Sequence, residues 1–112
     1  MSALVTDDMV SAALEYLSRS TVDSAKAKAD RVMAEHNRKR VRAQLILDSD
    51  QTTAALREAD AEASQWYLEA CQAEREAVER DEYHRAARIK ADAIIEAWRT
   101  ENANIRAAEK VR

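Results

Sequence analysis

The chain has 112 residues, with 18 Lys and Arg against 21 Asp and Glu for a net charge of −3, no Gly, Pro or Phe, and Ala at 24 positions. Without glycine or proline, the tight turns of all-β folds and the phosphate-cradling loops of doubly wound α/β enzymes lose their usual residues, so neither class is expected. Leu, Ile and Val together number only 19, a share that can accompany disorder, but the small net charge and the periodic placement of the apolar residues point instead to long helices.

Thr6 stands before Asp7 and Asp8 as an N-cap followed by carboxylates at the positive helix end. Met9, Val10, Ala13, Leu14 and Leu17 then recur at helical spacing, which predicts a first helix over about residues 7–19. Ser20 and Asp23 occupy capping-box spacing, with Asp in place of the usual Glu, so the chain either bends here or continues. A second helix is predicted over about residues 22–47. Its seam of Val22, Ala25, Ala29, Val32, His36, Lys39, Ala43 and Ile46 alternates steps of three and four. Residues 48–53, Asp-Ser-Asp-Gln-Thr-Thr, form the one clear polar loop.

From Thr53 onward the three–four alternation is unbroken through Leu56, Ala59, Ala63, Trp66, Ala70, Ala73, Ala77, Arg80, His84, Ala87, Ala91, Ile94, Trp98, Glu101, Ile105 and Ala108. This predicts a third helix over about residues 54–108, roughly 80 Å long at ~1.5 Å per residue. Alanines let helices approach closely but contribute little apolar area each, so Trp66, Trp98 and the isoleucines are expected to anchor the packing.

Charge is blocked along the chain: −3 over residues 1–25, +5 over 26–47, −8 over 48–82 and +3 over 83–112. Reversal at 48–53 lays the +5 block beside the −8 block. The expected fold is therefore all-α, one helical domain built as a long, Ala-rich, coiled-coil-like antiparallel hairpin with a short N-terminal helix. Two helices make a thin core, and Tyr67, Cys71 and Val78 form a second partial stripe, so a homo-oligomer is expected.

The candidate binding residues are cationic. Arg38, Lys39, Arg40 and Arg42 crowd together, and Lys28, Arg31, Arg38 and Arg42 share one helical face that could track a phosphate backbone. The competing reading of that face is a solvated surface paired with acids of the third helix. A second stripe, Arg85, Arg88, Arg99, Arg106 and Lys110, is interrupted by Asp92. Tyr83 and Trp98 offer stacking surfaces beside it, although a seam Trp more often packs inward.

For metal, Asp81 and His84 stand one turn apart, but a carboxylate-bridged bundle site needs two Glu-x-x-His elements and further carboxylates, so no metal or cofactor is expected. His84 reads instead as a polar seam residue that fixes register. Cys71 lies near Glu69, Glu74 and Glu76, which disfavour a thiolate, and no catalytic constellation is present. No apolar run reaches the ~20 residues that span a bilayer, residues 1–8 have acids and no bases, unlike a leader, and the single cysteine suits a reducing cytoplasm.

The strings AKAKADRVMAEHNRKRVRAQLIL and READAEASQWYLEACQAEREAVERDEYHRAARIKADAIIEAWRTENANIRA, spanning roughly residues 25–107, resemble small all-helical proteins of tailed bacteriophages. The likeness lies in the AKA-x-x-x-RV opening, the basic run into an apolar triplet, and the closing EAWRT with a later Arg. The connection at 48–53 departs from that pattern, being shorter and without glycine. In architecture alone the chain is also similar to UvsY-type recombination mediators, helical oligomers that bind single-stranded DNA and help load a recombinase. The resemblance implies a phage-type accessory protein of recombination or replication in the bacterial cytoplasm. The likeness carries no residues across; the two cationic stripes supply the expected contacts, so the oligomer would bind single-stranded DNA through Arg31, Arg38, Lys39, Arg40, Arg42, Arg85, Arg88 and Arg99. The alternative expectation is a non-enzymatic adaptor or inhibitor that binds a host protein.

Overall fold

A computed structural model describes residues 4–111. Four helices carry nearly all of them: α1 (Asp7–Arg19), α2 (Thr21–Asp48), α3 (Ala54–Glu62) and α4 (Gln65–Lys110), with no strand among the described residues. The fold is all-α, as expected. Thr6 and Thr53 cap α1 and α3, their hydroxyls accepting from the Met9 and Leu56 amides at 3.2 Å each, which satisfies donors that a helix start leaves open.

The chain divides into two compact units, Met1–Ser24 with Tyr83–Arg112, and Ala25–Glu82. In the first, α1 runs antiparallel to the C-terminal part of α4. The Leu4 amide donates to Glu101 Oε1 and Trp98 Nε1 donates to Asp7 Oδ1, both at 3.2 Å. Further along, Arg88 Nη1 donates to the Leu17 carbonyl at 3.2 Å and to Ser20 Oγ at 2.9 Å. The buried side chains here are small: Val10, Ala13 and Ala91, with Ser20 beside them. Ser20 ends α1, and Arg88 fills a carbonyl that the helix end leaves open, a position where a cation also meets the negative helix terminus.

In the second unit α2 runs antiparallel to the N-terminal part of α4. Arg31 pairs with Asp81 and Glu82, Arg38 with Glu74, and Arg42 with Glu62 of α3. Ala27, Ala61, Ala70 and Ala77 are the buried apolar residues, so side chains at the contact are short and the backbones are free to approach. Ser49 Oγ donates to Asp60 Oδ2 at 2.8 Å, Gln51 N donates to Ser49 Oγ at 3.3 Å, and Arg57 Nε donates to the Gln51 carbonyl at 2.7 Å, tying the 48–53 connection to α3.

Four expectations need correction. The helix expected to be continuous over 54–108 is broken at residues 63 and 64. The Ala63 amide donates to the Ala59 carbonyl at 3.0 Å and the Ser64 amide to the Ala61 carbonyl at 3.1 Å, which closes α3. Ser64 Oγ then accepts from the Trp66 amide at 3.2 Å and starts α4 as a cap. A serine in an otherwise unbroken Ala-rich pattern offers the backbone an alternative partner, and neither Gly nor Pro is required for the break.

The packed faces also differ. In α2 the expected seam residues Ala25, Ala29, Val32, His36, Lys39 and Ala43 are exposed, and the packed row is Ala27, Arg31, Ala34, Arg38, Val41 and Leu45. In α4, Trp66 is 69 % exposed and anchors nothing within the unit. The stripe of Tyr67, Cys71 and Val78 is half-buried on the packed side, so it supplies no free face for self-association.

Arg88→Met is expected to destabilise the first unit by about 1–3 kcal/mol, the cost of losing a charge-assisted bond to partly buried acceptors. Thermal unfolding with amide exchange on residues 7–19 checks this; unchanged protection of α1 would show that Arg88 does not hold it.

Candidate functional site

Alpha helix α2 presents two faces of different chemistry. On the packed face the guanidinium of Arg31 lies 3.1 Å from Asp81 and 2.9 Å from Glu82. Arg38 Nε bonds Glu74, and Arg42 reaches Glu62 at 3.1 Å. The charged forms are favoured in consequence. Arg31 is held above its ordinary value by its hydrogen bonds to Glu82 and then Asp81, and Arg38 is raised by Glu74 and then Tyr67. Three of the expected phosphate contacts, Arg31, Arg38 and Arg42, are thus already occupied by carboxylates of α3 and α4.

The other expected contacts are scattered. Lys39 is exposed and pairs with Glu35 at 3.2 Å, one turn back on the same helix. That bond and the Lys39 charge hold the Glu35 carboxyl below the usual carboxylate range. Arg40 is exposed, 3.4 Å from Asn37 Oδ1. Arg85 is exposed on α4, Arg88 closes the end of α1, and Arg99 bonds Glu96 at 2.8 Å.

The opposite face of α2 is the feature that sequence periodicity found but assigned to the interior. Ala25, Ala29, Val32, His36 and Ala43 lie exposed along it, with Met33 (66 % exposed) and Leu47 (72 % exposed) beside them. At 3.6 residues per turn this row stands on the far side of the helix from Arg38. Lys28 and Lys39 flank one edge and Lys26 and Arg40 the other, all four exposed. The row is mostly apolar, interrupted by His36 and Lys39, and no other element of its unit covers it.

Other candidates are less developed. An open groove of about 390 Å³ between α1 and α4 is lined by Met9, Ala13, Tyr16, Ala87, Ala91 and Ile94. His84 is half-buried, its ring edge-on to Tyr83 with centroids 5.7 Å apart. Among the described residues no group of three or more His, Cys, Asp or Glu is placed to hold a metal ion, and no helix is long and apolar enough to cross a membrane. Comparison of the chain with known protein families, with curated proteins and with solved structures gives no match.

A signal for the true packed face was present in the spacing of the charges. Arg31 and Arg38 are seven residues apart, as are Glu74 and Asp81, so an antiparallel pairing that joins one couple joins the other. Apolar periodicity ranks such arginines as outward and misses this.

Replacing Arg31, Arg38 and Arg42 with Gln is expected to lower Tm, while Lys39→Gln with Arg40→Gln leaves it nearly unchanged; thermal denaturation by circular dichroism separates the two. Because Glu35 is held low in the folded chain, its pair with Lys39 stabilises at neutral pH, and that contribution is lost as pH falls through the folded value. NMR titration of the Glu35 carboxyl should therefore move toward the ordinary value in Lys39→Gln.

Proposed function

We propose that this chain is a non-enzymatic protein-binding module, an adaptor or inhibitor that engages another protein through the exposed face of α2. The observation that carries this reading is the three–four row of Ala25, Ala29, Val32 and Ala43, interrupted by His36 and Lys39 and flanked by Met33 and Leu47, which faces solvent. Apolar side chains repeated every three and four residues bury little against water and gain most when a second helix covers them. The likeness to small phage proteins adds a setting, the cytoplasm of a bacterial host with a host protein as partner.

A second reading, single-stranded DNA binding in support of a recombinase, rests on Lys39 and Arg40, which are exposed, with Lys26 and Lys28 on the same helix. It is the weaker of the two, because Arg31, Arg38 and Arg42 would have to exchange their carboxylates for phosphates. Self-association, expected from the thin core, is not assigned to Tyr67, Cys71 and Val78, which lie on the packed side.

A photo-crosslinking residue at Met33, introduced in the cells that make the protein, tests the choice. The protein-binding reading expects one saturable protein adduct that Val32→Asp abolishes and Lys39→Gln leaves. The DNA reading expects nuclease-sensitive adducts, and retention of a labelled oligo-dT whose log-affinity slope against log salt falls by ~0.7 for each cation removed. Oligo-dT retention without a protein adduct would overturn the lead.

A further inference from the structure

The charges beside the exposed row specify its occupant further, on the reading that this face binds protein. Between Ala25 and Leu47 the exposed charged residues are Lys26, Lys28, Lys39 and Arg40 against a single acid, Glu35, and Glu35 is already bonded to Lys39. The cations lie on both edges of the apolar row, at the positions that in paired helices face the partner's flanking residues and set partner choice. His36 and Lys39, the latter already paired with Glu35, interrupt the row itself, so the uncompensated cations beside it are Lys26, Lys28 and Arg40.

We propose that the exposed face of α2 is one strand of an intermolecular helix pair whose other strand is an amphipathic helix of a different protein, with carboxylates on its flanks. The apolar residues Val32, Met33 and Leu47 form the contact, with Ala25, Ala29 and Ala43 allowing close approach. Lys26, Lys28 and Arg40 pair with flanking Asp or Glu.

A second copy of the same helix fits poorly. Laid antiparallel about Met33, Lys26 falls opposite the partner copy's Arg40, so cations face cations on the flank. Laid parallel, the two Lys39 side chains meet in the seam. An acidic strand removes both conflicts, and the same charges repel a basic helix, so the face discriminates by repulsion as well as attraction.

The inference is tested on the full chain with three synthetic helices of about four heptads each. One has Leu at the seam positions and Glu on the flanks, one has Lys in place of Glu, and one has the acidic composition scrambled. Binding is read as fluorescence anisotropy of the labelled peptide. The acidic helix is expected to bind, weakening as salt rises from about 50 to 500 mM. Val32→Asp, or the milder Met33→Gln, should weaken it by about tenfold or more while circular dichroism stays unchanged. Replacing Lys26, Lys28, Lys39 and Arg40 with Glu should transfer the preference to the basic helix.

Equal binding of acidic and basic helices, both sensitive to Val32→Asp, would overturn the acidic partner while leaving the protein-binding face in place. Binding of no helix, together with a wild-type dimer in sedimentation that Val32→Asp dissociates, would make a second copy the occupant and overturn the inference. Binding of no helix together with no protein adduct at Met33 would remove both this inference and the function it rests on.

Discussion

A core of alanines is the constraint from which the other features follow. The buried apolar residues are Val10, Ala13, Ala27, Ala61, Ala70, Ala77 and Ala91, and no large side chain is fully buried among the described residues. Methyl groups release little apolar area each, and they interlock without the shape specificity of Leu or Phe. Helices packed this way approach closely, but apolar contact alone scarcely distinguishes one facing from another. Polar pairs decide it. In the second unit the arginines of α2 meet Glu74, Asp81 and Glu82 across the contact.

That arrangement separates the cations of α2 by role. Arg31, Arg38 and Arg42 determine how the helix packs, and removing them acts first on folding. Lys26, Lys28, Lys39 and Arg40 stand on the other side, beside an apolar row that nothing in the unit covers. A cluster of basic residues that looks uniform in the sequence is therefore two populations. Phosphate binding would draw on the exposed one, and the apolar row between its members is what turns the reading toward a protein partner.

The chain makes its breaks without glycine or proline. Ser20 ends α1 and is held by Arg88, Ser49 anchors the connection through Asp60, and Ser64 opens α4. Ser64 Oγ accepts the Trp66 amide that the start of α4 leaves open, while at Ser20 and Ser49 a charged side chain, Arg88 or Asp60, fixes the hydroxyl in place. The same device explains why an Ala-rich stretch read as one helix from Thr53 onward ends at Glu62 and restarts at Gln65.

Composition and caps determined the class of structure. The absence of Gly and Pro, the cap at Thr6, the polar stretch at 48–53 and the blocks of opposite charge led to antiparallel helices with α1 and α2 close to their observed limits. These are local or long-wavelength properties, set by backbone donors and by net charge, and they survive without knowledge of neighbours. Which face of α2 turns inward was decided only in the tertiary structure. Two periodic rows run along that helix, one apolar and one carrying Arg31 and Arg38, and periodicity alone prefers the apolar one. The acids of α4 reverse that preference, because a partly desolvated guanidinium matched to a carboxylate is stable where an unmatched one is not. The apolar row is left outside, where it becomes the candidate site.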